Sequence, residues 1–355
     1  MKYLGIIDKY KQYLPITKKT PIISLQEGNT PLIEANNLTN AINKNLKIFL
    51  KYEGCNPTGS FKDRGMTLAV SKAIEQGFNV IICASTGNTS ASASAYAARA
   101  GIKSVVLIPE GNIAKGKLAQ ALIYNAQVIS IKGNFDKALS LVKEITTKYP
   151  FVLVNSLNPF RIEGQKTGAF EICDFLGKNP DYQFMPVGNA GNITAYWKGY
   201  NEYYDAKKIK NKPKMMGWQA KGSAPIVLGH PVKNPKTIAT AIKIGNPASW
   251  QQALKAIKES NGLIDCVSDE EILNAYKMVA KLEGIFVEPA SAAGIAGLIK
   301  LNANGFFNKP LKQKPIIVCI LTGNGLKDPE TSFAQTQKPL IVSPNLKQIL
   351  KAISC

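Results

Sequence analysis

From about residue 80 to residue 325 the sequence alternates short β-branched runs with longer segments of helical periodicity. NVIICAS precedes SASASAYAARAG, for example, and KSVVLIP precedes AKGKLAQALIYNA. Alternation of this kind is typical of parallel sheets that helices cover on both faces. The sequence therefore predicts an α/β fold of doubly wound domains with mainly parallel sheets. Ligands of such folds bind at the carboxyl ends of strands.

The length of the chain predicts two domains. At 355 residues it exceeds one ordinary domain and can bury a sizeable core. We expect a larger domain formed by residues 1–55 plus 151–355 and a smaller domain formed by residues 56–150. The active site should lie between them.

The chain is strongly basic, because lysine plus arginine exceed aspartate plus glutamate by 44 − 24 = 20. A nucleic-acid or membrane partner would explain such a balance. The basic residues are scattered, however, and the densest runs, KYKQYLPITKK and DAKKIKNKPK, are not interleaved with stacking aromatics. We therefore expect a solvated basic surface without a nucleic-acid partner. A basic nucleic-acid-binding protein is the remote alternative.

Cysteine and histidine usage predicts neither a disulfide framework nor a metal site. The six cysteines form no CxxC pair and several lie in apolar strand-like runs, which indicates reduced core thiols. His230 is the only histidine, which argues against serine or cysteine triads and His-rich metal sites. The N-terminal stretch carries charges throughout, and no apolar run approaches the roughly 18 residues of a membrane span. We expect a cytoplasmic protein with no membrane partner.

The stretch NPTGSFKDRG, residues 56–65, places Lys62 at the predicted start of a helix. Apolar residues recur downstream at helical spacing, and Gly77 supplies a stop. Ser60 and Asp63 are spaced as a near capping box, which makes Lys62 about the second helical residue. The positive end of the helix dipole disfavours an ammonium there, so the pKa of Lys62 should be lowered and its amine is a candidate nucleophile. A solvated surface lysine is the alternative.

Three apolar strands are each followed by a polar or glycine-rich loop: TGNTS at 86–90, GNAGN at 188–192 and TGNG at 322–325. Taken alone, TGNTS also fits a capped helix start, and TGNG also fits a simple turn. GNAGN opens a helix, where glycines and converging N–H groups favour an anion such as phosphate. Its spacing matches neither the dinucleotide nor the P-loop motif. A phosphorylated aldehyde cofactor needs a lysine of low pKa, an anion-binding loop and polar groups at neighbouring strand ends. The sequence supplies all three, and pyridoxal 5'-phosphate (PLP) is a cofactor of this kind.

Seven motifs carry a resemblance to a known family: EGNTPL, NPTGSFKDRG, ASTGNTSAS, VNSLNPFRIEGQKT, GNAGN, ATAIKIGNPASW and EPASAAG. In these motifs and their order the chain resembles the threonine synthases. These are PLP enzymes of fold type II, in the tryptophan synthase beta-like superfamily. The likeness runs from residue 27 to residue 328. It implies PLP as the cofactor and suggests a homodimer.

The resemblance also implies roles for individual residues. Lys62 is the catalytic residue that forms the Schiff base with PLP, Phe61 lies near the cofactor, and Asn88 bonds the ring hydroxyl. Thr322 faces the pyridine nitrogen. The cofactor phosphate is held by Gly188, Asn189, Ala190, Gly191 and Asn192. The region around the substrate carboxylate is bound by Ser85, Thr86 and Thr89. The candidates for binding the substrate phosphate are Asn155, Ser156 and Arg161. A surface arginine is the alternative for Arg161.

The reaction that the resemblance implies converts O-phospho-L-homoserine and water into L-threonine and phosphate, by γ-elimination and β-addition of water. A serine/threonine dehydratase on the same fold is the alternative. Its substrate is neutral, so it needs no second phosphate site.

Overall fold

The computed structural model describes residues 2–111, 115–133, 135–308, 313–336 and 339–353. Its strands are β1 Leu32–Glu34, β2 Lys47–Tyr52, β3 Val80–Ala84, β4 Lys103–Pro109, β5 Gln127–Ile131, β6 Val152–Leu153, β7 Tyr182–Pro186, β8 Lys214–Ala220, β9 Leu263–Val267 and β10 Ile316–Leu321. Short 3₁₀ helices span Lys11–Tyr13, Glu53–Cys55, Thr240–Ile242, Pro289–Ala292 and Gly325–Lys327.

The α-helices alternate with the strands as the sequence predicts. They are α1 Ile6–Tyr10, α2 Asn36–Ile42, α3 Lys62–Glu75, α4 Asn88–Ala100, α5 Lys115–Ile123, α6 Phe135–Lys148, α7 Pro159–Gln165, α8 Thr167–Leu176, α9 Gly191–Asp205, α10 Pro225–Leu228, α11 Trp250–Ser260, α12 Asp269–Glu283, α13 Ala293–Ala303, α14 Pro329–Ala334 and α15 Leu346–Ile353. None of the helices in the described part of the chain is long and apolar enough to cross a bilayer.

The strands form two sheets. The larger has six strands in the order β1-β2-β10-β7-β8-β9, and the smaller has four in the order β5-β4-β3-β6. Among the pairs in the described residues, only β1 with β2 is antiparallel. The prediction of an α/β fold with two mainly parallel sheets is therefore confirmed.

Both faces of both sheets are covered. Along β10 the side chains alternate between two cores: Ile317, Cys319 and Leu321 face the core that includes α12 and α13. Val318 and Ile320 face the opposite core, with α8 and α9. The smaller sheet packs one face against α3, α4 and α5 and the other against α6. This period-2 alternation is what a parallel strand buried on both sides requires.

The sheet to which each strand belongs can be compared with the predicted domain boundaries. β1 and β2 join the larger sheet although β3 to β6 come between them and β7 in sequence. β6 pairs with β3, which places Val152 and Leu153 in the smaller sheet, just past the predicted boundary at residue 150. The assignment of residues 1–55 plus 151–355 and 56–150 to two domains stays a prediction.

The cysteines follow the predicted pattern only in part. Cys83, Cys173 and Cys319 are buried and free, whereas Cys55 is exposed and Cys266 is partly exposed. The prediction of core thiols is wrong for the last two. Cys55 ends a 3₁₀ helix, and Cys266 lies in β9, the edge strand of the larger sheet, whose residues are mostly only partly buried. Cys355 lies outside the described residues.

Candidate active site

The loop that carries Lys62 is attached to the end of β10. Phe61 N donates to Thr322 O at 3.0 Å, and Asn324 N donates to Gly59 O at 2.9 Å. Ser60 and Gly323 form an antiparallel bridge, and so do Val287 and Asn324. The turn after β10 is thus held between two other segments, one leading into α3 and the other into the 3₁₀ helix Pro289–Ala292.

The predicted capping box before α3 is wrong. The helix begins at Lys62 itself, and its N-cap residue, Phe61, makes no side-chain cap. Asp63 instead accepts hydrogen bonds from Thr58 N at 2.7 Å, Thr58 Oγ1 at 2.6 Å and Ser92 Oγ at 2.6 Å. The carboxylate is fully buried, so it bonds inward to α4 and the preceding loop and does not cap the helix.

The lowered pKa of Lys62 is confirmed, although the physical causes differ from the predicted one. Burial lowers the pKa of Lys62 to about 7, the Arg161 guanidinium acts in the same direction, and the Glu288 carboxylate opposes both. The Lys62 Nζ lies 4.3 Å from the centroid of the Phe61 ring, which adds to its apolar surroundings. Near neutral pH about half of an amine with this pKa is neutral and available as a nucleophile. Lys62 is partly buried and its pKa is lowered, so it is not an ordinary solvated surface lysine.

Arg161 is a buried cation with unused donors. Only 1% of the residue is exposed, so the alternative of a surface arginine is wrong. Its Nη1 donates to Val154 O at 3.1 Å, while Nε and Nη2 are buried and have no hydrogen-bond partner among the described residues. Burial lowers the pKa of Arg161 to about 10, so the side chain remains a cation at neutral pH. Unpaired guanidinium donors inside a protein are costly unless an anion binds there.

The GNAGN loop adopts an unexpected backbone conformation. The positive φ occurs at Ala190, at 62°, and not at either glycine of the loop. Asn189 anchors the loop to the segment before α11, because its Oδ1 accepts from Ala248 N and its carbonyl accepts from Ser249 N, both at 3.1 Å. A non-glycine residue in this region costs free energy and is found most often at functional sites.

Two further residues of this loop leave room or unused polar atoms. Both side-chain polar atoms of Asn192 are buried without a partner. A Cβ added to Gly191 would meet no atom closer than 3.5 Å, so space adjoins the start of α9. A Cβ on Gly188 would lie 3.1 Å from Ile242 Cα, so this glycine permits close packing between two backbones. The loop therefore combines a helix start with unfilled hydrogen-bonding capacity, as an anion site requires.

The remaining predicted substrate residues lie at the ends of β3 and β6. Ser85 and Thr86 follow β3, and Thr89 lies in the first turn of α4; all three are partly buried. Ser156 is partly buried in the turn after β6. Asn155 differs from the others, because its Oδ1 accepts from Ala84 N at 3.0 Å and its Nδ2 donates to Ala84 O at 2.8 Å. The backbone of β3 thus already uses both polar atoms of the Asn155 amide.

Asn88 and Thr322, which come from opposite sheets, meet at a carboxylate that the sequence analysis did not single out. Asn88 Nδ2 donates to Glu288 Oε1 at 3.1 Å and to Oε2 at 3.0 Å. Thr322 Oγ1 lies 3.4 Å from Glu288 Oε1 and 3.0 Å from Ser291 Oγ. The sequence signal for Glu288 was a single acidic residue directly before an apolar, alanine-rich helix.

These residues fit PLP. A lysine of lowered pKa, an unpartnered Asn88 Oδ1 and an unpartnered Asn192 amide supply, in that order, a nucleophile, a polar contact and phosphate-binding capacity. Within the described residues, no three His, Cys, Asp or Glu side chains cluster so that they could hold a metal ion. These features are compatible with a site for an aldehyde cofactor.

The comparison with known families agrees with this class. The profile of the family described as pyridoxal-phosphate dependent enzyme matches residues 23–323. The chain is therefore a PLP-dependent enzyme, and its cofactor is PLP.

Curated relatives define the family more narrowly. A threonine synthase of Halalkalibacterium halodurans is 57% identical over 98% of this chain and 96% of its own length. That of a Synechocystis species is 53% identical over 99% of this chain and 91% of its own. That of Methanocaldococcus jannaschii is 51% identical over 97% of this chain and 87% of its own. The chain belongs to the threonine synthase family.

Solved structures of similar fold are more distant in sequence. Maize serine racemase superposes with a TM-score of 0.75 at 19% identity, covering 94% of this chain and 97% of that one. Threonine deaminase isoform 2 of Solanum lycopersicum superposes with a TM-score of 0.74 at 22% identity, covering 94% and 90%. At these identities the likeness shows the fold alone, which is fold type II.

Proposed function

We propose that this chain converts O-phospho-L-homoserine and water into L-threonine and phosphate, with Lys62 as its catalytic residue. The observation that carries the proposal is the buried Arg161. Its charge acts on Lys62, and within the part of the chain that the structure describes its Nε and Nη2 have no hydrogen-bond partner. A substrate with its own phosphate supplies the anion that these donors lack, whereas a neutral substrate such as serine leaves them unpaired.

The residues that we propose to bind cofactor and substrate lie mostly in the loops and helix starts that follow strands. Asn88 and Thr322 contact the cofactor ring beside Phe61, and the GNAGN loop from Gly188 to Asn192 holds the cofactor phosphate. Ser85, Thr86 and Thr89 bind the substrate carboxylate region, and Ser156 and Arg161 bind the substrate phosphate. For Asn155 we propose a positioning role, because its amide is already paired with the backbone of Ala84.

The chemistry requires an amine that both takes and releases protons near neutral pH. When bound, PLP supplies an aldehyde for the substrate amine and a ring that accepts electrons from Cα. Lys62, with a pKa of about 7, takes the Cα proton, gives it up again, and only then takes a Cβ proton of the substrate. Phosphate leaves from Cγ with the bonding electrons and a proton is delivered to Cγ. Water then adds at Cβ and loses a proton, and a proton returns to Cα. We propose that the departing phosphate, held by Arg161, acts as the base for that water, since His230, the only histidine, is exposed in a loop.

The test is a comparison of product release by the purified enzyme. Wild type should release phosphate from O-phospho-L-homoserine far faster than it releases ammonia from threonine or serine. Lys62→Ala should abolish both this activity and the cofactor absorbance at about 410 nm. Lys103→Ala, the same change at an exposed lysine, is the matched control and should leave both unchanged. Ammonia release without phosphate release would overturn the proposal.

We further propose a cytoplasmic homodimer without a nucleic-acid partner. The free thiols of Cys83, Cys173 and Cys319 support a reducing compartment. Exposed apolar side chains such as Phe333 and Leu346 support an interface between copies. Light scattering of the purified enzyme should give twice the 38.5 kDa chain mass, and a monomer would contradict the dimer. A binding titration with duplex DNA at about 0.15 M salt should show no specific complex.

A further inference from the structure

Glu288 occupies the space next to Thr322. It precedes the 3₁₀ helix Pro289–Ala292, is 1% exposed, and its backbone N donates to Gly323 O at 3.0 Å. A Cβ added to Gly323 would lie 2.7 Å from both Cδ and Oε1 of Glu288. The glycine after Thr322 therefore makes room for this carboxylate.

The carboxylate joins side chains from both sheets. Asn88, the first residue of α4, follows the smaller sheet's β3, and Thr322 follows the larger sheet's β10. The Asn88 amide donates to both Glu288 oxygens, and the Thr322 hydroxyl reaches Oε1. Ser291 supports the same unit, because its Oγ lies 3.0 Å from Thr322 Oγ1 and accepts from Gly323 N at 3.0 Å.

The chemistry of a carboxylate fixes the orientation of Asn88. An ionised carboxylate accepts hydrogen bonds and donates none, so it selects the NH₂ end of the amide. The Asn88 oxygen then points away from Glu288, and this buried Oδ1 has no hydrogen-bond partner in the described ranges of the chain. A buried amide oxygen without a partner is costly unless a ligand contacts it.

We propose that Glu288 is a positioning residue that holds the Asn88 amide and the Thr322 hydroxyl as one unit around the cofactor ring. This inference rests on the proposed assignment of Asn88 and Thr322 to that ring. In this arrangement one buried carboxylate fixes the relative position of two polar side chains, one following a strand of each sheet, that contact the ring. Glu288 also opposes Arg161 at Lys62, because the Glu288 carboxylate raises the pKa of that amine whereas the Arg161 guanidinium lowers it.

The experiment is a mutant cycle on cofactor affinity, read from the absorbance change as PLP is titrated into each apoenzyme. Glu288→Gln and Asn88→Ala should each weaken PLP binding about tenfold, since each removes charge-assisted hydrogen bonds. The double variant should weaken binding by clearly less than the product of the two single effects, because Glu288 acts through Asn88. Fully multiplicative effects would overturn the inference.

Two additional measurements do not depend on enzyme activity, and the first of them needs no Glu288 variant. Asn88→Asp keeps the size of the side chain but sets two carboxylates against each other, so it should bind PLP more weakly than Asn88→Ala. Equal affinity of the two Asn88 variants would count against the pairing. In folded Glu288→Gln apoenzyme, the pH midpoint for acylation of Lys62 should fall below that of wild type, because an opposing negative charge is lost. An unchanged or higher midpoint contradicts the proposed electrostatic contact.

The outcomes separate this inference from the proposals on which it rests. If Asn88→Ala binds PLP as wild type does, the assignment of Asn88 to the ring fails and the inference fails with it. If Asn88→Ala weakens binding but a folded Glu288→Gln does not, the inference alone fails. The reaction is tested independently by phosphate release from wild type. The melting temperature of each apoenzyme shows whether the fold is retained.

Discussion

Gly164 of α7 lies directly against the backbone of Arg64 in α3. A Cβ on Gly164 would be 1.9 Å from Arg64 O, and a Cβ on Gly65 would be 2.8 Å from Arg161 O. The two helices therefore cross with their backbones touching, which only glycine permits. Lys62 begins α3 and Arg161 lies on α7, so this crossing sets the proposed nucleophile and the proposed phosphate-binding cation relative to each other.

Gly164→Ala should destabilise the protein by about 3 kcal/mol or more, because the added methyl meets backbone that cannot move without separating the helices. Denaturant unfolding of the holoenzyme measures the loss. Gly284→Ala is the contrasting control: its φ is +67° but nothing lies within 4 Å, so only the left-handed backbone penalty of about 1 kcal/mol applies. Equal losses in the two variants would contradict the tight crossing.

The features that the sequence predicted are local or periodic. Alternating strands and helices gave both parallel sheets, and the helix that starts at NPTGSFKDRG contains the lysine whose pKa is lowered. Each polar loop was found because it directly follows an apolar strand. Such signals need no knowledge of the tertiary structure, since they depend on residues within one or two turns of each other.

The features that the sequence missed depend on contacts between distant segments. Glu288 meets Asn88 across 200 residues, and no local pattern connects them. The spacing of Ser60 and Asp63 did predict a local cap, but Ser92 of another helix contacts Asp63 in the folded chain. Similarly, the resemblance implies a substrate contact for Asn155, but in the folded chain the backbone of Ala84 pairs with both polar atoms of its amide. Tertiary partners override local pattern wherever a polar side chain is buried.

Lys62 should be the most readily acylated lysine of the apoenzyme at neutral pH. Its neutral fraction rises through a midpoint at pH about 7, whereas an ordinary lysine has a pKa of about 10.4. Competitive labelling with trace acetic anhydride between pH 5 and 10, followed by peptide mass spectrometry, measures this midpoint. In Arg161→Met the midpoint should move upward, because removing a nearby cation stabilises the ammonium form. A wild-type midpoint above pH 9 would contradict the burial of this amine.

Arg161→Met should raise the KM for O-phospho-L-homoserine at least tenfold and leave stability unchanged or slightly higher. The variant loses the proposed phosphate contact, but it also removes two buried donors that have no protein partner. Thermal unfolding with and without inorganic phosphate separates the two effects in holoenzyme, where PLP fills its own phosphate site. Arg99→Met, at an exposed arginine, is the matched control. Phosphate protection that survives in Arg161→Met would place the substrate phosphate elsewhere.

A network of buried ion pairs near the start of α3 makes the free energy of unfolding depend on pH in the acidic range. Arg64 Nε donates to Glu53 at 2.7 Å and its Nη2 to Glu171 at 2.6 Å, and Lys51 Nζ donates to Glu171 at 2.7 Å. Burial alone would raise the pKa of Glu171, but Arg64 and Lys51 outweigh it and hold that pKa well below its usual range. Burial and Arg64 act in the same opposed way on Glu53, whose pKa is also lowered.

Because the folded pKa of Glu171 lies below its unfolded value of about 4.5, its contribution to stability is present above that pH and is lost as the pH falls further. Glu171→Gln should therefore be less stable than wild type by about 3 to 5 kcal/mol at pH 7, since it leaves buried cations without their partner. The difference should shrink steadily between pH 4.5 and pH 2 or so, as wild type alone loses the stabilising charge. Urea unfolding at several pH values, at equal PLP saturation, measures the gap. Glu144→Gln removes an exposed carboxylate paired with Lys148 and should show only a small gap at any pH. If the difference in free energy of unfolding between wild type and Glu171→Gln stayed constant down to pH 3, protonation of Glu171 would not be the cause of the pH dependence.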